Sequence, residues 1–119
     1  MPDNYISISA EKGSINVSEE VIAIIAGAAI SETEGVAGLS NSVGSEIYEF
    51  IGRKSVTKGI KVSFEDEKII IDATIMVRFG ATISTIAEKV QNTVANSVEN
   101  MTGIAPVVNI RVAGISFDK

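Results

Sequence analysis

The chain has 119 residues, of which 45% are hydrophobic and 5% aromatic; its formal net charge is -5, and it contains neither His nor Cys. This length and apolar content predict one folded domain with a core of Ile, Val and Ala, and they exclude extensive disorder. The acidic balance argues against a general nucleic-acid binder. The lack of His and Cys excludes Ser-His-Asp and Cys-His nucleophile systems and nearly all zinc sites.

The first part of the chain predicts a strand followed by a helix. Residues 1–12 are expected to be loosely ordered, although the alternation of Ile6 and Ile8 allows a short edge strand. Gly13 to Val17 has the period of a strand, and Ser18 then has the character of a helix N-cap, with two Glu residues in the first turn.

The helix after this cap is expected to reach about Glu32, and it has almost no polar side. Such a helix must be covered on more than one side, by its own sheet and by a neighbour. Gly27 lies within it and costs about 1 kcal/mol relative to Ala in an exposed helix. We expect this glycine to allow the close approach of another backbone.

A Gly- and Ser-rich connection follows and predicts a loop. After it, Ile47, Phe50 and Ile51 recur at spacings of three and four, which predicts a short amphipathic helix from about Gly44 to Gly52. The next cationic residues form a local basic cluster: Arg53, Lys54, Lys58 and Lys61.

The second half of the chain begins with a predicted β-hairpin. Apolar residues alternate from Ile60 to Phe64, and the turn Glu65–Lys68 leads into a long strand. From Ile69 to Phe79 the odd positions are apolar, so they are expected to form one buried face. After Gly80 the period changes to about 3.6, which predicts a helix capped by Thr82 and stopped at Gly103.

The last strand is expected from Val107 to Phe117, and its apolar phase slips at Gly114, as at a β-bulge. This order of elements predicts an α+β fold. The economical arrangement is a two-layer sandwich, with two long helices on one face of a mainly antiparallel or mixed β-sheet. Residues 1–119 are expected to form this single domain.

Carboxylates are the remaining candidates for catalysis or metal binding, and they are Glu32, Glu34, Asp66, Glu67 and Asp72. The first four are expected to be solvated. Asp72 is expected to pair across strands, with Lys61 or Arg111. Since no second group can be named beside any of them, the sequence predicts no catalytic residue, no metal and no cofactor.

The basic stretch from Gly52 to Lys61 has a second interpretation. It resembles the loop with which KH domains clamp a nucleic-acid backbone, whose pattern is G-x-x-G. Ser55 stands where the final glycine belongs. A KH-like RNA-binding module is therefore the alternative function, whereas the favoured interpretation expects no nucleic-acid partner.

Seven stretches in collinear order together resemble the alkaline-shock protein family, the envelope stress response proteins of Gram-positive bacteria. They are Gly13–Ala29, Glu32–Gly38, Lys58–Val62, Ile69–Gly80, Ile83–Val94, Val98–Gly103 and Val108–Phe117. Each stretch is short, but the set covers nearly the whole chain. Leu39 to Thr57 lies outside these stretches.

The resemblance implies a small cytoplasmic protein without catalytic residues. The resemblance also implies two kinds of role, because some members are held at the membrane through a membrane-spanning partner and others are associated with fatty-acid and lipid metabolism. We therefore expect a non-catalytic interaction protein of the envelope stress response, which self-associates and docks to a membrane-bound or lipid-metabolism partner. Direct membrane insertion is not expected, because the longest apolar run, Val21 to Ile30, is far shorter than the ~20 residues of a membrane span.

The expected docking surface combines apolar residues with a charged rim. The apolar residues are Ile24, Ile47, Phe50 and Ile51, and the rim residues are Arg53, Lys54 and Lys58. A helix with little polar surface and a short amphipathic helix leave more apolar surface than one sandwich can bury. The alternative is that Phe50 and Ile51 close the edge of the core beneath the hairpin.

Overall fold

The computed structural model describes residues 5–39 and 59–117. Their elements are β1 (Tyr5–Ala10), β2 (Gly13–Ser18), α1 (Glu19–Ser31), β3 (Val36–Leu39), β4 (Ile60–Glu65), β5 (Lys68–Arg78), α2 (Ile83–Thr102) and β6 (Val107–Ser116). The α+β class is confirmed. Of the two helices only α2 is long, with 20 residues, whereas α1 has 13.

Strands β1 and β2 form an antiparallel hairpin that is separate from the main sheet. Tyr5–Ala10 is thus a strand, as the alternation of its isoleucines allowed, and not a loosely ordered segment. Residues that face each other across an antiparallel pair share a face, so Ile6 and Ile8 lie with Val17 and Ile15. Ile6 is 3% exposed and belongs to the core, whereas Ile15, nearer the turn, is 54% exposed.

Strand β5 is the centre of the main sheet. Strand β6 runs parallel to it along one edge, and β4 and β3 pair antiparallel with its first and last halves. The mixed sheet of the prediction is confirmed. Because a strand has only two edges, β3 and β4 must share the edge opposite β6. On this edge Leu39, the last described residue of β3, lies opposite Ile75. Gly59 lies next along the same edge, and its carbonyl accepts a hydrogen bond from the N–H of Thr74 at 2.9 Å.

The core lies on the face of β5 that carries the odd-numbered residues. Ile69, Ile71, Ala73, Ile75 and Val77 are all buried there, as predicted. Both helices add buried side chains to this core, among them Ile22, Ala26, Ile30, Val90, Val94 and Val98. On the opposite face of β5, Asp72 and Arg78 are exposed. The alternation therefore identified which face of the strand is buried.

The helix ends follow the predicted caps in part. Ser18 Oγ accepts a hydrogen bond from the N–H of Val21 at 3.2 Å, which confirms the first cap. Gly103 ends α2 in the left-handed region, at φ 81°. Thr82 stands at the N-cap of α2, but its side chain makes no capping hydrogen bond.

Gly27 is buried in α1, on the side that also buries Ala23, Ala26 and Ile30. We expect Gly27→Leu to destabilise the protein by about 1–3 kcal/mol, because a four-carbon side chain overpacks this buried position despite its better helix propensity. Chemical unfolding monitored by circular dichroism measures the change. The matched control is Ala28→Leu at the neighbouring exposed position. Equal effects of the two substitutions would contradict a close contact at Gly27.

Candidate interaction surfaces

Only one residue of the predicted docking surface, Ile24, lies within the described residues. The others fall outside them: Ile47, Phe50, Ile51, Arg53, Lys54 and Lys58. The proposed KH-like loop is described only from Gly59 to Lys61, where it enters β4. The predicted grouping of these residues therefore stays a prediction.

Ile24 is half-buried and lines a shallow groove between the two helices. The groove is lined by Ile24, Ile25, Ala28, Ala29, Glu32, Ser97, Asn100 and Met101. It is apolar because α1 carries no charged residue between Glu20 and Glu32. Met101, which is 68% exposed, stands at its border. Of the predicted docking surface, Ile24 therefore lies at this groove, which the sequence pattern did not predict.

A second apolar surface lies at the end of β5 and β6, where the rings of Phe79 and Phe117 stack. Their centroids are 4.7 Å apart and their planes differ by 25°. Phe79 is 67% exposed and Phe117 is 72% exposed. We call Phe79, Phe117 and Ile115 the aromatic corner; Ile115, on β6 and two residues before Phe117, is 43% exposed.

The β-bulge predicted near Gly114 is confirmed, and it produces the aromatic pair. Val112 lies beside Ile75 and Gly114 beside Met76, so Ala113 is the extra residue. The one-residue shift brings Phe117, instead of Ser116, beside Phe79. The N–H of Phe79 donates to the carbonyl of Ser116 at 2.8 Å, which holds the two strand ends together.

The prediction that Phe79 belongs to the buried face of its strand is wrong. Phe79 follows the last residue of β5, and α2 begins only at Ile83, so neither element covers its ring. The alternation of apolar residues continues past the end of the strand. Alternation alone does not show where neighbouring elements stop covering the strand. Gly80, directly after Phe79, was the signal that the strand was ending.

The candidate carboxylates are exposed and dispersed. Glu32 and Glu34 follow α1, and Asp66 and Glu67 form the turn between β4 and β5 with positive φ values of 52° and 66°. Within residues 5–39 and 59–117, no three acidic side chains are grouped so that they could hold a metal ion.

Asp72 has a different partner from the one predicted. It faces Lys61 across the strand pair, but its Oδ1 accepts a hydrogen bond from Nδ2 of Asn109 at 2.9 Å. Around this pair, the exposed face of the main sheet forms a groove of about 450 Å³. Its polar side chains are Lys61, Asp72, Thr74, Asn109 and Arg111, and we call it the sheet groove.

Neither helix of the described chain combines the length and the apolar character that a membrane span requires. The fold and its surfaces define a small α+β domain with an exposed aromatic pair, a groove between the helices and a groove on the open face of the sheet.

The chain belongs to the alkaline-shock protein 23 family, described as having a cell envelope-related function; the family model matches residues 7–117. The protein YqhY of Bacillus subtilis (strain 168) is 36% identical over 107 residues, which cover 89% of this chain and 79% of YqhY. YloU of the same organism is 34% identical, covering 92% of this chain and 94% of YloU. A homolog of the stress response regulator gls24 from Streptococcus pyogenes serotype M3 is 24% identical over 90% of this chain and 61% of that protein.

Among solved structures, two variants of the MamM CTD match with a TM-score of 0.50. They are 16% and 15% identical and cover 80% of this chain and 93% of theirs. At this level of identity the likeness shows the fold alone.

Proposed function

We propose that this protein is a non-catalytic interaction protein of the cell-envelope stress response, which self-associates and docks to a membrane-bound or lipid-metabolism partner. The protein would be located in the cytoplasm, where that partner would hold it at the inner face of the membrane. The family's envelope-related function and the name of the gls24 relatives support the process. The aromatic corner is the observation that supports the mode of action.

Two stacked and largely exposed phenyl rings are unusual on a protein with only six Phe and Tyr residues. A buried aromatic side chain removes about 150–250 Å² from water, so the two rings alone leave roughly 200–350 Å² exposed. The largest exposed apolar patch of a typical monomer covers about 300–600 Å² and is often functional, and the aromatic pair reaches the lower part of this range. Aromatic anchors of this kind also carry much of the binding energy in protein interfaces.

Both rings lie directly beyond the last pair of the β5–β6 ladder, Arg78 and Ser116. The hydrogen bond from the N–H of Phe79 to the carbonyl of Ser116 extends the ladder by one residue and fixes the backbone that carries the Phe79 ring. Side chains held in place before binding lose less conformational entropy when a partner covers them. The corner is therefore suited to docking, and its two rings contribute little to the core.

Replacing both rings tests the proposal. We expect Phe79→Ser with Phe117→Ser to weaken self-association by about tenfold or more, since each anchor is worth on the order of 1–2 kcal/mol. The melting temperature should change by only a few degrees, because both rings are mostly exposed. Sedimentation equilibrium over a range of concentrations measures the association, and circular dichroism measures the melt.

Met101→Ser is the matched control, since Met101 is equally exposed but borders the helix groove. Loss of association in this control, with the Phe variant unaffected, would transfer the docking role to the groove that contains Ile24. Two results together would contradict the proposed function. The first is a wild-type protein that stays monomeric. The second is capture of membrane-bound or lipid-metabolism proteins from the native cell that none of the three substitutions changes.

A further inference from the structure

The sheet groove has a regular origin in the strand register. Lys61, Asp72 and Asn109 form one row across β4, β5 and β6, and Gly59, Thr74 and Arg111 form the next row. All these positions lie on the face of the sheet opposite the core. Gly59 has no side chain, so one corner of this grid is open, and the groove lies there.

Two cations border the groove, and neither has an acidic partner among the residues that the structure describes. The side chains of Lys61 and Arg111 are exposed, and neither makes an ion pair with another residue in the described part of the chain. This is unexpected, because the protein has 15 acidic and 10 basic residues. The nearest carboxylate in the register, Asp72, instead accepts the amide of Asn109. Within residues 5–39 and 59–117, both cations are therefore available to an external anion.

The spacing allows both cations to reach one ligand. Neighbouring strands lie about 4.8 Å apart and a step of two residues spans about 6.8 Å, so the Cα atoms of Lys61 and Arg111 are roughly 12 Å apart. Long side chains on opposite corners of the grid can meet over its centre, beside the hydroxyl of Thr74. A guanidinium binds a carboxylate through two parallel hydrogen bonds, which favours Arg111 as the principal contact.

We propose that the sheet groove binds a carboxylate side chain of an extended acidic segment from a partner protein. Arg111 binds the carboxylate, Lys61 provides the second positive charge, and Thr74 donates a hydrogen bond. The Asp72–Asn109 pair offers acceptor oxygens to an N–H of the same segment. The inference rests on the proposed function in that it assumes a protein partner, but it uses a different surface.

The charge of the groove favours an acidic peptide over a nucleic acid. With Asp72 beside the two cations, the net charge of the site is a single positive charge, which matches one carboxylate. A phosphate backbone requires several neutralising cations in a row, and Asp72 would repel it. The groove is open to solvent, so a small free anion would stay hydrated there. An extended chain that passes across the strands fits this shape better.

The test uses the full chain, labelled with ¹⁵N, and a capped peptide of sequence Gly-Glu-Gly-Glu-Gly as the probe. We expect saturable shifts of the amide signals of Gly59, Thr74 and Arg111, weaker at higher salt. Arg111→Gln should weaken binding by about fivefold or more, which corresponds to roughly 1 kcal/mol. The matched control Arg78→Gln removes an exposed cation at the far end of β5 and should change binding by less than about twofold.

Three results would overturn the proposal. The first is the absence of saturable shifts, and the second is equal binding of the corresponding Gln peptide. The third is equal loss in the Arg111 and Arg78 variants, which would indicate general attraction. If a single-stranded oligouridylate shifts the same amides and the Glu peptide does not, the groove is a nucleic-acid site instead. Each of these results leaves the test of the aromatic corner unaffected, so the two failures are distinguishable.

Discussion

Ile75→Asp and Val94→Asp are each expected to abolish the cooperative thermal transition. Both side chains are 0% exposed, one on the central strand and the other on α2. A carboxylate placed there is buried without a partner, at a cost of several kcal/mol, while the whole domain is stabilised by about 5–15 kcal/mol. Circular dichroism at neutral pH measures the transition.

Asn96→Asp is the matched control for the charge itself, because Asn96 is exposed on the same helix. It should leave the melting temperature within a few degrees of the wild type. A cooperative melt close to that of the wild type for either core variant would show that the packing of helix against sheet described above is wrong.

Gly35→Ala should have the next largest effect, a loss of about 2–4 kcal/mol in the free energy of unfolding. Gly35 has φ 96°, a conformation that L side chains rarely adopt. A Cβ added at this position would also lie against the side chain of Ile86, in contact with Cδ1 and 3.1 Å from Cγ1. Because Ile86 is buried, it has little room to move away.

Gly103→Ala separates these two causes. Gly103 has φ 81°, but a Cβ there would meet no atom within 4 Å. Its substitution should therefore cost only the backbone term, about 1 kcal/mol. Urea unfolding of both variants gives the difference between their losses in the free energy of unfolding. Adding Ile86→Val to Gly35→Ala should reduce this difference, because the shorter side chain leaves room for the new Cβ. Equal costs at the two glycines would mean that Ile86 does not restrict Gly35.

The elements with a strong local period were predictable from the sequence. Alternation identified the buried face of β5, and steps of three and four identified α2 together with its end at Gly103. The phase slip at Gly114 likewise predicted the bulge. These signals are local, because side-chain direction in a strand or helix depends on residues two to four positions apart.

The surfaces were less predictable. Six of the seven predicted docking residues lie outside the described part of the chain, and the aromatic corner was not predicted. The strand pattern predicts a cation as the partner of Asp72, whereas the structure shows a hydrogen bond from Asn109 to Asp72. Exposure and hydrogen-bond partners depend on contacts between residues far apart in the chain, which local periodicity does not contain.

The sequence by itself determined the α+β class, the buried face of the central strand, the long second helix and the resemblance to a family that the comparisons then confirmed. Only the tertiary structure decided that β3 and β4 share one edge of β5, and that β1 and β2 form a separate hairpin. It also decided that Phe79 and Phe117 meet at the surface. The physical reason is register: one extra residue, Ala113, changes which side chains are neighbours on two strands. The sequence locates this bulge, but only the pairing of β5 with β6 shows that it brings Phe117 beside Phe79.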